Sequence, residues 1–312
     1  MTHVDCIAGS GGDTISLQTG STHTLTASNN LTYGSTGLPV ITSTIIIEGN
    51  SSTIQREGSA EDFRIFAVSP GGDLTLQETT VSGGKAIVSL AFGSGDGGGV
   101  FNYDGILTLT NSTVTNNSAD RNGGGVVNTR YSTATVSNST ISGNSASVGG
   151  GGMINHLYST VTVTGSAITG NSAGNHSGGV FNTSLSTLTV SNSTITGNSA
   201  GNEGGGLSSG TPSTVILSNS TITGNSAGDR GGGVFNVIGP LTLVRTLVSG
   251  NTASSGEEIY NLGGSVAANN FNLLGHSGVA GVVGFTPDVA DLVPSEPLSG
   301  ILAPLEIGRA HV

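Results

Sequence analysis

One phrase repeats through the middle of this chain with almost no change in length. The string NSTITGNSAGNEGGG at residues 192–206 returns as NSTITGNSAGDRGGG at residues 219–233. A glycine triplet, with serine in its first position once, opens each copy at a spacing of 26 or 27 residues: Gly97, Gly123, Gly150, Ser177, Gly204 and Gly231. A period held this tightly is typical of a solenoid, in which each repeat packs only against its neighbours.

Apolar and polar residues alternate inside each copy. In residues 186–200, Leu188 and Val190 alternate with Thr and Ser, and Ile195 lies between two threonines. Successive side chains of a strand point to opposite faces, so the aliphatic set is predicted to point inward. Copies in register should then form one internal aliphatic column from Ile141, Ile168, Ile195 and Ile222.

Asparagine and glycine recur at the ends of these short strands, where the chain must turn sharply. Both tolerate the left-handed backbone that sharp corners need. Identical asparagines on neighbouring coils can also join their amides into a ladder. We expect such a ladder at Asn144, Asn171, Asn198 and Asn225.

These patterns predict an all-β chain: a right-handed, single-stranded parallel β-helix of about ten coils, with 27 residues per coil in its central part. We expect an N-terminal cap and the first coils in residues 1–62, the β-helix in 63–275, and a cap or linker in 276–305. The last seven residues, EIGRAHV at 306–312, match what the start of a common sequencing adapter encodes. We therefore interpret them as an artefact, and the natural chain as cut near Leu305.

Composition excludes several function classes. The net charge is −11 and the eight Lys and Arg residues are scattered, which disfavours nucleic acid as a partner. No stretch approaches the ~20 apolar residues of a membrane span. No Cys/His set has zinc spacing, and the glycine triplets lack the lysine of a phosphate loop. We expect no metal and no cofactor.

The repeat phrase resembles known surface proteins. NSTITGNSA followed by GGGVFN resembles the repeats of bacterial polymorphic outer-membrane proteins. The N-terminal GGDTISL with LPVITSTIIIEG is similar to the start of secreted proteins with a CSLREA-type domain, and IYNLGGSVAANNFNLLGHSG resembles the region that precedes their anchoring signals. The resemblance implies a secreted or surface-displayed bacterial protein, with surface glycans or proteins of a host or neighbouring cell as partners.

The favoured function is a structural, adhesive segment without catalysis of its own. The alternative is a carbohydrate-active lyase or hydrolase, which would need grouped carboxylates on one face. The best constellation is the row before the glycine triplets, where His176, Glu203 and Arg230 should stack on adjacent coils. It could act as an acid–base site with an arginine clamp, or it could be a solvated loop with incidental ion pairs.

Two further surfaces could bind a ligand. Tyr131 and Tyr158 should stack on neighbouring coils and could hold sugar rings.

A less favoured function is ice binding by an array of T-x-T pairs. The array, which Ala167 and Ser142 interrupt, is Thr113/Thr115, Thr140/Ser142, Thr194/Thr196 and Thr221/Thr223.

Two adjacent apolar rows also need an explanation. They are Val100, Val126, Met153, Val180, Leu207 and Val234, each followed by Phe101, Val127, Ile154, Phe181, Ser208 and Phe235. Adjacent strand residues cannot both face inward. Either a corner turns both rows in, which we favour, or the second row is an outer stripe for a partner or a covering loop.

Overall fold

The chain folds as a β-helix in the computed structural model, which describes residues 12–268 and 271–297. Every strand pairs in parallel with its counterparts on the neighbouring rungs. The largest sheet passes through ten rungs, and residues 27 apart pair along its centre. The predicted fold class, a right-handed parallel β-helix of about ten coils, is therefore confirmed. No helix of the described residues is long and apolar enough to cross a membrane.

Sheet 1 is the longest of three sheets, and most of its rungs contribute two short strands on either side of a corner. In chain order its strands are Asp13–Ser16, Thr22–Leu25, Thr44–Arg56, Asp73–Ser82, Ile106–Thr110, Thr113–Thr115, Thr133–Ser137, Thr140–Ser142, Thr160–Thr164, Ala167–Thr169, Thr187–Ser191, Thr194–Thr196, Thr214–Ser218, Thr221–Thr223, Leu241–Val244, Leu247–Val248, Val266–Ala267 and Leu273–Leu274.

Sheets 2 and 3 complete the cross-section. Sheet 2 contains Phe66–Val68, Val100–Tyr103, Val126–Thr129, Met153–His156, Val180–Asn182, Leu207–Ser209, Val234–Asn236, Ile259–Asn261 and Val282–Val283. Sheet 3 contains the two-residue strands Lys85–Ala86, Ser118–Ala119, Ser145–Ala146, Ser172–Ala173, Ser199–Ala200 and Ser226–Ala227. The six rungs that contribute a strand to sheet 3 run through sheet 2, sheet 1 and sheet 3 in that order.

Both predicted end regions contribute strands to the β-helix. Strands before residue 62 already pair with later rungs of sheet 1, and Val282–Val283, within the expected cap, adds a strand to sheet 2. The interpretation of residues 306–312, like that of 298–305, lies outside the described residues.

The aliphatic column lies at the centre of the stack. Ile141, Ile168, Ile195 and Ile222 pair directly across successive rungs and are fully buried. Burying such side chains contributes roughly 25 cal/mol per Å² of apolar surface removed from water. Because each rung needs only a few inward side chains, a chain with 34% hydrophobic residues can still build a continuous core.

An asparagine ladder runs beside this column. The side-chain amide of Asn171 donates to Oδ1 of Asn198 at 2.9 Å, and Asn198 donates to Asn225 at 2.9 Å. Asn144 donates in the same way to Asn171 at 3.0 Å. Each amide also reaches a backbone carbonyl of the preceding rung, as Asn198 does to Ile168 at 2.9 Å. The ladder thus satisfies buried polar groups that would otherwise be costly.

The glycine triplets bring the turns close to this ladder. The first glycine has a left-handed backbone, with φ of 62° at Gly123. The same left-handed position is occupied once by serine, at Ser177. A Cβ on Gly124 would lie 2.3 Å from the carbonyl oxygen of Ser145, so the second position has no room for a side chain. The repeated triplet therefore records close packing between rungs, as well as the shape of the turn.

Candidate ligand-binding face

The outer face of sheet 2 differs from the rest of the surface in its side chains. The outward positions of sheet 1 are mostly threonine and serine, as in Thr187–Ser191. Most of those of sheet 2 carry aromatic, aliphatic or histidine side chains, with a threonine and a serine among them. They are Phe101, Tyr103, Val127, Thr129, Ile154, His156, Phe181, Ser208, Phe235 and Tyr260.

This arrangement corrects the expectation for the two apolar rows. Val126 and its equivalents join the main core, whereas Phe101, Val127 and Ile154 form a separate cluster. No corner turns both rows inward; the rows alternate as in any strand. The outer row is buried because the glycine-rich turn folds back over it. A Cβ on Gly123, for instance, would lie 2.4 Å from Cγ2 of Val127.

An aromatic group closes the N-terminal end of this face. The rings of Tyr33 and Phe92 come from two loops and meet Tyr103 of the sheet, with centroids 5.4 and 5.1 Å from it. Buried Arg64 ties these loops together by donating to the carbonyls of Tyr33 and Gly93, both at 2.6 Å. Burial lowers the pKa of Arg64 to about 10.

The sequence-predicted triad lies at the C-terminal part of the same face. His176, Glu203 and Arg230 occupy adjacent rungs, joined by parallel bridges. Glu203 pairs through Oε2 with Nδ1 of His176 at 3.2 Å and through Oε1 with Arg230. Arg230 also bonds Asp229 and lies over the ring of Phe235, 5.3 Å from its centroid. Both oxygens of the single carboxylate in this triad are therefore already occupied.

Tyr131 and Tyr158 project from the turns between sheet 2 and sheet 1. Their rings stack with centroids 5.2 Å apart and an interplanar angle of 14°. Each ring thus covers one face of the other, which leaves one outer face on each. The preceding rung has Asp104 and Gly105 in this turn, so among the described residues Tyr158 is the ring that stacks on Tyr131, and its N-terminal face is left uncovered by a ring.

Sequence reasoning missed three residues on and beside these strands of sheet 2. Arg130 lies over the ring of Tyr103, 5.3 Å from its centroid, and Arg121 approaches Oδ2 of Asp96 at 3.8 Å. His156 is half-buried on the outer face. Burial and the nearby charge of Arg121 lower its pKa to about 4. The period-two pattern contains the missing signal, because inward Asn155 forces the next residue, His156, to point outward.

Asp96 begins the row before the glycine triplets and is held by the next rung. Its Oδ1 accepts hydrogen bonds from the backbone and side chain of Asn122 at 3.1 and 3.0 Å. Burial raises the pKa of Asp96 above its usual range. Within the described residues, no group of three or more His, Cys, Asp or Glu side chains could hold a metal ion.

Comparison with known proteins gives the fold alone. No protein-family model matches this chain, and no curated protein matches it. A crystal structure of pectate lyase Pel9A is similar, with a TM-score of 0.50 and 15% sequence identity, covering 91% of this chain and 73% of that one. At this identity the likeness extends to the parallel β-helix and to no particular residue.

Proposed function

We propose that this chain is the rigid, non-catalytic rod of a secreted or surface-displayed bacterial protein, and that it adheres to surface glycans through the outer face of sheet 2. The observation that carries the proposal is the contrast between faces. The outward rows of sheet 1 present mostly small hydroxyl side chains. The ends of the sheet 2 strands and their flanking turns instead present half-buried Tyr103 and His156 beside exposed arginine and tyrosine side chains. Ring and guanidinium groups are those that contribute most to binding energy at interfaces.

The state of Glu203 argues against the alternative of a carbohydrate-active enzyme. Glycoside cleavage needs two carboxyl groups placed on either side of the scissile bond. Glu203 is bound on both sides by His176 and Arg230. With both oxygens engaged, this carboxylate is not free to contact a glycosidic oxygen, and the triad contains no second carboxyl group.

The proposed location outside the cell rests on the resemblance of the repeats to those of surface proteins. The strings NSTITGNSA and GGGVFN resemble the repeats of bacterial surface proteins. A stack of ten rungs at about 4.8 Å spans roughly 48 Å, enough to hold a binding face away from an attachment point.

A panel of immobilised bacterial, plant and animal polysaccharides would test this function. We expect the folded chain to be retained on at least one polysaccharide, and retention to fall when Tyr131→Ala and Tyr158→Ala are combined. Thr113→Ala and Thr140→Ala, on the outer face of sheet 1, provide the matched control and should leave retention unchanged.

The same panel should be followed for product release. Reducing ends or unsaturated sugars that appear with the wild type and vanish in Glu203→Gln would establish an enzyme and overturn the proposal. Absence of retention on every polysaccharide, with circular dichroism showing a folded chain, would overturn it too.

A further inference from the structure

Two arginines beside the outer face of sheet 2 lack a close anionic partner. Among the described residues, Arg130 forms no ion pair, and the contact of Arg121 with Asp96 is long, at 3.8 Å. By contrast, Lys85 pairs with Asp62 at 2.9 Å. Arg230 likewise pairs with Glu203, whereas buried Arg64 donates to backbone carbonyls. The exposed guanidinium groups of Arg121 and Arg130 keep most of their donors available.

The turn after sheet 2 sets the direction of the Arg130 side chain. Arg130 and Tyr131 both have left-handed backbones, with φ of 59° and 61°. The next two rungs have the same pair of left-handed residues at this turn, so the repeat itself imposes the conformation. The turn fixes the direction of both side chains, and the ring of Tyr103 supports the guanidinium from below.

The second arginine approaches from the opposite side of the same strands. Tyr103, Thr129 and His156 pair across three rungs and form an outward column. Arg130 follows Thr129 directly, whereas Arg121 reaches the column from the glycine-rich turn, close enough to influence His156. Within the described residues the imidazole of His156 has no hydrogen-bond partner.

We propose that the column of Tyr103, Thr129 and His156, with Arg121 and Arg130 on its two sides, binds an acidic saccharide through its carboxylate. This inference rests on the proposed function and names its ligand class. The planar guanidinium fork matches a carboxylate and can bind it with two parallel hydrogen bonds. The neutral imidazole can bond a sugar hydroxyl, and the uncovered face of Tyr131 can pack against the next sugar ring.

Charge complementarity favours this ligand. The chain has a net charge of −11, so most of its surface repels an anion, and the two exposed guanidinium groups beside the column offset this repulsion locally. Binding should therefore weaken as salt rises, because exposed charges are screened over about 10 Å at 0.1 M.

Fluorescence anisotropy with a labelled glucuronate oligomer would test the site. The same oligomer with its carboxyl groups reduced to alcohols is the ligand control. Arg121→Gln and Arg130→Gln should each weaken binding to the glucuronate oligomer about tenfold or more, as expected for loss of a hydrogen bond to a charged group. Arg245→Gln is the protein control, since it removes the same charge from a corner of sheet 1, where Arg245 bonds Asn219. It should change binding by less than about twofold.

The outcomes separate this inference from the proposed function. Equal binding of the reduced oligomer, or equal losses in Arg245→Gln, would overturn the acidic-saccharide site while leaving glycan adhesion intact. Equal or tighter binding of a poly-glutamate peptide would also overturn it, since the site would then recognise charge without the sugar. No retention on any polysaccharide would remove the proposed function itself.

Discussion

The side-chain amide of Asn251 donates a hydrogen bond of 2.6 Å to a carboxylate oxygen of Glu258. The asparagine ladder has a direction, because each amide donates to the Oδ1 of the next rung, as Asn225 does to Asn251 at 2.9 Å. The last amide therefore needs an acceptor that is not asparagine. Glu258 supplies it and also accepts from the backbone of Gly250 at 2.8 Å.

Replacing Glu258 by alanine should destabilise the C-terminal rungs. The change removes the acceptor of the half-buried N–H of Gly250 and of the buried side-chain amide of Asn251, which we expect to cost about 2 kcal/mol. Urea unfolding followed by circular dichroism, with hydrogen exchange of the last rungs, would measure the loss. Glu257→Ala is the matched control, because the neighbouring glutamate is exposed. Equal effects of the two substitutions would show that the ladder does not depend on this carboxylate.

Asn198→Ala should have a larger effect in the middle of the ladder. It removes the acceptor of the Asn171 backbone and side chain at 3.0 and 2.9 Å, and the donor to Ile168. Several buried groups lose partners together, so we expect about 3 kcal/mol less free energy of unfolding. Asn202→Ala is the control, since the side chain of Asn202 makes one exposed hydrogen bond, to Asn175, and its loss should change stability by less than about 0.5 kcal/mol. A loss in Asn198→Ala no greater than that of the control would contradict the assigned role of the ladder.

The sequence was sufficient for the fold because stacking makes each rung a template for the next. Once Ile195 and Ile222 are assigned to the inward face, the 27-residue period places every equivalent residue above or below them. The alternation also predicts which residues of sheet 2 point inward and which point outward. The favoured prediction, a corner that turns both apolar rows inward, is wrong. That error arose because the pattern shows which way Val127 points but not that a glycine-rich turn covers it.

The candidate site was harder to predict, because it depends on residues outside the repeat. Tyr33 and Phe92 come from irregular loops that no period positions, and they meet at 6.4 Å over the sheet. Arg121 and Arg130 each occur in one copy of the repeat, at turn positions whose residue differs from copy to copy. By contrast, His176 and Glu203 share one repeat position, so the sequence alone could place them on adjacent rungs.

Ile195→Ala should create a cavity in the central column. Ile195 is fully buried between Ile168 and Ile222, and a stacked rung has little freedom to collapse. We expect a loss of about 3 kcal/mol in the free energy of unfolding, within the range for such truncations. Thr196→Ala changes the adjacent outward side chain and should cost much less. If both variants unfold at the same urea concentration, inward packing at this column is not what holds the rungs together.

Acidification should destabilise the fold through His156. Its pKa is lowered to about 4 in the folded chain, by burial and by Arg121, against about 6.5 when unfolded. The unfolded state therefore binds the proton first, so the contribution of neutral His156 is fully present above pH ~6.5 and is lost as pH falls towards 4. At pH ~4.5 we expect a loss on the order of 2 kcal/mol relative to pH 7. Thermal unfolding of the wild type and of His156→Asn at both pH values would measure it, because asparagine does not titrate. The wild type should lose more stability than the variant; equal losses, or an imidazole NMR titration of His156 centred near 6.5, would show that this side chain is solvated and not held neutral by the face it lies on.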